Sequence, residues 1–296
     1  TGMVVEFPEL QGIMGGYYAL SNHETAAVSQ AISDHYRPQG PSDSLPLSAE
    51  GFAVSLADKL DTLVGFFGVN QKPTGSRDPY ALRRAALGIL RIMDEADISL
   101  PLHKLMKHAA GLYHFEDVDS DLPAFFRDRL RVVLRDKGLP HDVVSAVLNC
   151  HQGVDNLQLV MHQARQLDRF LKTDGGSAVL IGWRRVASLL VAEEKKATLP
   201  QGQPSEKLFE TEEEVRLMAA LTALPDSKAE TRDSMNDMMV SMTSLVFPVE
   251  QFFTNVVVNS EIDEVRENRL SLLSMAKARM ALIGDLSQIE GGHGER

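Results

Sequence analysis

Apolar residues recur at intervals of three and four along most of the chain, and runs of β-branched residues are few. That period belongs to helices with one buried face. The pattern predicts helix over 3–20, broken near Pro8 and eased by Gly12, Gly15 and Gly16. It predicts helix again over 24–36, where Val28, Ile32 and His35 share a face with Ala31 beside them. The Pro, Gly and Ser of RPQGPSDSLP (37–46) make a loop. Helix returns over 48–67, with Phe52, Leu56, Leu60, Leu63 and Phe67 along one stripe and Ser48 as N-cap. In PTGSRDPYALRRAALGILRI (73–92), a turn runs into a helix start, with Asp78 as N-cap and Pro79 as first helical residue. Helices follow over 100–113, 122–138 and 141–150, with Gly138 and Pro140 marking a stop and a restart.

A long helix is expected from about residue 154 to 171, then a break at TDGGS (173–177) and a second helix over 178–196. ATLPQGQPSE (197–206) reads as a linker. Residues 209–224 and 227–246 are again helical, Pro248 precedes another helical run, and 261–289 closes the fold. Residues 290–296 are expected to form a disordered tail. No repeat of 20–50 residues is present. The class is all-α. The main division falls where the periodicity breaks, giving domains at 1–153 and 154–296.

Composition narrows the reading. A chain of 296 residues exceeds what one core usually holds, which agrees with two domains. Apolar content of 44% and charged content of 24% are ordinary for a globular protein, while aromatics are only 6% and Met reaches 12 residues. The lone Cys150 excludes an intrachain disulfide and a cysteine zinc cluster. No apolar run is long enough to span a membrane, and the first residues do not form a signal peptide. They also lack an initiator Met and enter patterned helix at once, so a fragment of a longer, cytoplasmic chain is expected. Net charge is −11, so a nucleic-acid partner must be argued from local clusters.

Four clusters carry candidate chemistry. First, Lys72, Arg77, Arg83, Arg84 and Arg91 set five positive charges against Asp78 alone. The turn lacks the Lys-Ser/Thr pair and preceding strand of a P-loop. Arg84 and Arg91, seven apart, share a helix face with Arg83 beside them, a strip suited to phosphates or to acidic neighbours. Second, His23, Asp34, His35, Asp58 and Asp61 are of metal-ligand types, and LADKLDTL resembles the last segment of HD phosphohydrolases, whose set is a His, then a His-Asp pair, then this Asp; here the pair is reversed, Asp34-His35, and His141-Asp142 comes later and opens a helix, where Asp suits the first turn. Third, Cys150-His151 are adjacent, a spacing typical of a half-buried thiol at a helix end. Fourth, Trp183, Arg184 and Arg185, then Arg266, Asn268, Arg269, Lys277 and Arg279, place guanidinium groups and one indole where unpaired bases stack. Trp183 reads more readily as core, and so do the methionines at 235–242.

Several strings resemble a known family. MVVEFPELQGIMGGYYAL, AISDHYRP, SLADKLDTLVGFF and PTGSRDPYALRRAALGILRI, in this order, look like bacterial glycyl-tRNA synthetase β subunits. WRRVASLL, VEQFFTNVVV and RENRLSLL are similar to that family's tail, itself like the helical anticodon-binding domain of arginyl-tRNA synthetases. The resemblance covers about residues 3–288. It implies an HD-like helical domain followed by an anticodon-binding bundle, the C-terminal portion of a β subunit. It implies an α2β2 enzyme that ligates glycine to its tRNA with ATP and Mg, the α subunit holding the aminoacylation site. The expected partners of this fragment are glycine tRNA and that α subunit. No cofactor is expected on the fragment itself, and its metal set of His23, His35 and Asp58 is degenerate. tRNA contacts are expected from Lys72, Arg77, Arg83, Arg84, Arg91, Trp183, Arg184, Arg185, Arg266, Arg269, Lys277 and Arg279. Two rival readings are a metal-dependent HD phosphohydrolase acting on nucleotides and a helical scaffold without RNA contact.

Overall fold

The computed structural model describes residues 3–115, 121–151, 153 and 155–290. Among them the regular elements are helices, with a single isolated bridge pairing Thr74 and Arg77. No described helix is long and apolar enough to cross a membrane. The chain forms two compact units, Thr1–Lys137 with Gly153–Gln158, and Gly138–Gln152 with Leu159–Arg296.

The first unit holds α1 (Met3–Glu6), α2 (Ile13–Ser21), α3 (Ala26–Asp34), α4 (Ala49–Gly68), α5 (Leu82–Glu95), α6 (Leu102–Leu112) and α7 (Asp121–Asp136). Pro8 opens a separate 3-10 turn to Leu10, and Gly12, at φ 81°, turns the chain into α2. α2 then lies close on α3. A Cβ at Gly16 would fall 2.2 Å from Ser33 Oγ, and the Gly16 carbonyl accepts from Ser29 Oγ at 2.9 Å. Ser48 caps α4 by accepting from the Gly51 N–H at 3.1 Å, as its sequence position predicts. On the α4 stripe Leu60, Leu63 and Phe67 are buried and Phe52 and Leu56 half-buried. They meet Leu82, Ala86, Ile89 and Leu90 of α5, each at most 1% exposed. Burying such a side chain stabilises by about 1.5–3 kcal/mol.

The start of α5 differs from the expectation. Pro79 lies outside the helix, because Ala81 sits in the left-handed region at φ 54° and ends the preceding turn. Asp78 still caps. From the turn before the helix, its two carboxylate oxygens accept from the Leu82 and Arg83 N–H groups, each at 2.9 Å.

The second unit holds α8 (His141–Cys150), α9 (Leu157–Leu171) from Leu159 onward, α10 (Asp174–Glu194), α11 (Glu212–Ala223), α12 (Arg232–Met242), α13 (Val246–Asn255) and α14 (Asp263–Met280). The expected break at TDGGS is only a corner. Thr173 caps α10 by accepting from the Gly176 N–H at 3.0 Å, so both glycines stand in the first turn. A Cβ on Gly176 would fall 1.9 Å from the Phe170 carbonyl oxygen. The glycine lets two long helices meet that tightly; it does not stop either. α10 packs on α13 and α14, and α11 on the same two. Met235, Met238, Met239 and Met242 are at most 2% exposed and fill this core. The expected linker is tied down at its end, since Asn268 accepts from the Ser205 N–H at 2.6 Å and donates to its carbonyl at 3.0 Å. Of the expected tail, residues 291–296 lie outside the described residues, and the Glu290 N–H donates to Asp142 at 3.0 Å.

Candidate nucleic-acid interface

In the first unit the cations of the strip divide by what holds them. Arg83 Nη2 donates to the Gly75 carbonyl at 2.5 Å, clasping the turn that precedes its own helix. That turn is closed by reciprocal backbone bonds between Thr74 and Arg77 of 3.0 and 2.8 Å. Arg91 forks onto Glu95, with Nε at 2.7 Å from Oε1, and its Nη1 donates to the Gly40 carbonyl at 2.9 Å. It thereby pins the 37–46 loop against α5. Lys72 pairs with Asp121 and lies 6.0 Å from the centre of the Phe67 ring. Arg84 is exposed and bonds to no described residue, and the Arg77 side chain is likewise exposed. Two adjacent arginines on one helix thus take opposite tasks: Arg83 builds the loop and Arg84 faces solvent.

Arg84 stands on the rim of a cavity of about 670 Å3 between α5, the 37–46 loop and the end of α7. Pro38, Pro41, Leu87 and Val133 give it apolar walls, and Arg91 and Asp136 stand at its edge. This cavity was not legible beforehand. Its far wall comes from α7, some forty positions away in sequence, and only the shared face of Arg84 and Arg91 pointed towards it.

Beneath the α5 side of this cavity runs Lys59, which is 6% exposed. Its ammonium donates to the carbonyls of His35, Tyr36 and Arg37 at 3.1, 3.1 and 3.0 Å, and to Ser55 Oγ at 2.9 Å. The side chain crosses α5 at Gly88, where a Cβ would fall 2.8 Å from its Cε. Burial pushes its pKa down to about 8, with Asp58 and Asp43 holding it partly up. It stays charged at neutral pH, so the interior cation beside the expected metal ligands is covalently part of the chain.

Those ligands do not gather. His23 is exposed with φ 64°, His35 turns its ring nitrogen back to the Ile32 carbonyl at 2.6 Å, and Asp58 is exposed. Asp61 accepts from the Tyr113 hydroxyl at 2.8 Å. Among the described residues no group of three or more His, Cys, Asp or Glu is placed to hold a metal. Nor do Cys150 and His151 form a nucleophile pair. Burial pushes the Cys150 thiol up, away from thiolate, and the His151 ring bonds Gln163 at 2.6 Å.

In the second unit several candidate side chains hold the bundle together. Trp183 is 8% exposed and packs in the core of α10, and its indole N–H is buried without an acceptor among the described residues. Arg269 is 5% exposed. Its Nε bonds Glu214 Oε1 at 2.9 Å, Nη2 bonds Glu210 at 2.8 Å and Nη1 the Val257 carbonyl at 3.0 Å. A guanidinium so enclosed has no face left for a base. Burial opposes ionisation of Glu214, but Arg269 together with the N–H groups of Glu210 and Thr211 outweighs it and holds the carboxyl below its usual range. Arg184 donates to the Ile289 carbonyl at 2.9 Å, and Arg279 to the Pro225 carbonyl at 2.7 Å. Arg266 is half-buried, with its Nε enclosed and bonded to no described acceptor. Lys277 is half-buried without a described partner. Arg185 differs. It is exposed, its guanidinium carbon lies 4.5 Å from the centre of the half-buried Phe253 ring, and its Nη2 donates to the Phe253 carbonyl at 3.4 Å.

A family model for the glycyl-tRNA synthetase beta subunit matches residues 1–149, and one for the DALR anticodon binding domain matches residues 179–290. The chain belongs to the glycyl-tRNA synthetase beta subunit family. It is similar to the glycine–tRNA ligase beta subunit of Phenylobacterium zucineum (strain HLK1), with 45% identity over 294 residues. That alignment covers 98% of this chain and 42% of the relative, so the chain spans less than half the length of the protein it matches. The first match contains the Arg84 strip, its cavity and Lys59. The second contains α11 to α14, the Arg185–Phe253 pair and the buried Trp183.

Proposed function

We propose that this chain is the tRNA-binding part of a glycine–tRNA ligase β subunit. In this reading the aminoacylation site, with its ATP and Mg, resides on a companion α subunit in an α2β2 assembly that works in the cytoplasm. The observation that carries the reading is the anticodon-binding match laid over a helical bundle on which the exposed Arg185 guanidinium sits over the Phe253 ring. A planar cation on an aromatic ring offers a base both a stacking face and N–H donors. The exposed Arg84 and Arg77 of the other unit add local positive charge to a chain of net charge −11, and binding follows the local field rather than the sum.

The labour divides by exposure. Arg84, Arg77, Arg185 and Lys277 are the side chains with donors to spare, and they meet the RNA. Arg83, Arg91, Arg184, Arg269 and Arg279 shape the surfaces on which the others stand. A gel-shift titration of the assembled α and β subunits with glycine tRNA and with a noncognate tRNA tests this. Tight binding of the cognate tRNA, together with nuclease protection of its anticodon arm, is expected. Equal weak binding of both, or protection confined to regions away from the anticodon, overturns it.

A further inference from the structure

The cavity on the rim of which Arg84 stands has more shape than a phosphate contact needs. A backbone phosphate is satisfied by an exposed guanidinium on an open surface. Here the guanidinium guards an opening of about 670 Å3, within the size range of small-molecule pockets. The walls are Pro38, Pro41, Leu87 and Val133, which are apolar and have few ways to move. The opening is held in shape from within. Arg91 ties the Gly40 carbonyl to α5, the Lys59 ammonium gathers the carbonyls of residues 35–37, and Asp78 fixes the start of α5. Asp136 stands at the edge, exposed and bonded to no described residue. The combination is a free cation at the mouth, apolar walls, and a free carboxylate that accepts from amino groups.

We infer that this cavity takes one unpaired nucleotide of the bound RNA, its phosphate on Arg84 and its base between the proline-lined loop and Leu87 and Val133. The inference rests on the tRNA-binding reading above. The matching chemistry is specific: a nucleotide carries an anionic phosphate, a flat apolar face and, in three of the four bases, an exocyclic amino group for a carboxylate such as Asp136. A paired base has its faces stacked and its edge occupied, so the cavity selects an unstacked residue at a loop, bulge or strand end.

The test uses the assembled α and β subunits. Gly40 lines the cavity, and a Cβ built there meets no atom within 4 Å, so Gly40→Phe adds a ring to the cavity without a clash at its root. Val133→Phe narrows the opposite wall. Each variant is expected to weaken glycine tRNA binding about tenfold, the size of losing one base contact, with the salt dependence unchanged and the thermal midpoint within a few degrees of the parent. Nucleoside monophosphates at millimolar concentration are expected not to compete. If either variant, shown folded by its midpoint, binds tRNA like the parent, the cavity does not hold a nucleotide of the bound RNA. If both variants bind tRNA normally while the parent alone binds AMP or CMP, the ligand is a free nucleotide and the RNA assignment is overturned. If the parent assembly fails to bind tRNA at all, the tRNA-binding reading has failed, and this inference falls with it.

Discussion

Arg269 and Glu214 lie 55 positions apart and meet at 2.9 Å, with the glutamate side chain fully enclosed. The pair joins α14 to the first turn of α11, and Glu214 also accepts from the Thr211 N–H, closing a capping box. Arg269→Met leaves an enclosed carboxylate with no cation, which costs about 3–5 kcal/mol. Urea unfolding monitored at neutral pH should show that loss. The double change Arg269→Met with Glu214→Met should recover most of it, because no buried charge remains. Glu214 is held below the usual glutamate range. Its contribution is therefore present above that range and disappears as pH falls through the depressed value.

Lys59 gives a slope of the same sign in a more alkaline window, because there it is the charged form that folding disfavours. Its pKa falls from 10.5 to about 8 on folding. Between those values the unfolded chain binds the proton more completely than the folded one, so stability rises as pH increases through that window. Below pH 8 both states are charged and the slope vanishes. Unfolding at pH 7.5, 8.5 and 9.5 should show a rise in the parent that Lys59→Met lacks. At pH 7.5 the Met variant should lose about 3 kcal/mol, because three carbonyls are left without a donor.

These two residues mark where the sequence stops being readable. The α4 stripe of Leu60, Leu63 and Phe67 and the methionines of α12 were legible, because spacing along one helix decides which side faces inward. Lys59 was not. A lysine between apolar positions reads as a solvated edge, and its acceptors are main-chain carbonyls supplied by a loop more than twenty positions upstream. Arg269 was read as facing RNA because no local pattern signals a partner as distant as Glu214. The arginine pairs show the same limit: a helix face can be drawn from sequence, but which face another helix covers is set by packing. Asp78 was expected as the N-cap, but the left-handed Ala81 takes that position and delays the helix, and Asp78 reaches the Leu82 and Arg83 N–H groups from the turn before it.

Glycines that permit close approach should differ in what they tolerate. At Gly176 a methyl group would meet the Phe170 carbonyl oxygen at 1.9 Å, and backbone cannot move without shifting α9 against α10. At Gly88 it would meet the Lys59 Cε at 2.8 Å, the far part of a long side chain. Alanine in a helix gains about 0.5–1 kcal/mol over glycine, which offsets part of either clash. Gly176→Ala is expected to cost more than about 3 kcal/mol and Gly88→Ala about 1 kcal/mol. Denaturant midpoints of the two variants, compared at equal slope, check the order. A reversed order would mean that the α9–α10 corner is softer than its geometry implies.

Neighbouring arginines on α5 provide the sharpest separation of binding from scaffolding. Arg84 has all its donors free towards solvent, whereas Arg83 spends Nη2 on the Gly75 carbonyl. If Arg84 meets an RNA phosphate, Arg84→Gln should lower the slope of log affinity against log salt by about 0.7–0.9, the value of one displaced counterion. Arg84→Glu should weaken binding further by repulsion, with no change in thermal midpoint, because the side chain supports nothing in the fold. Arg83→Gln should act the other way. It loosens the 73–77 turn, lowers the midpoint by a few degrees, and reduces affinity only as far as the turn's position matters, with the salt slope kept. Titrations of glycine tRNA against the assembled enzyme at four salt concentrations separate the two. Equal slopes for the parent and Arg84→Gln would remove Arg84 from the interface, and with it the reason for placing RNA along α5.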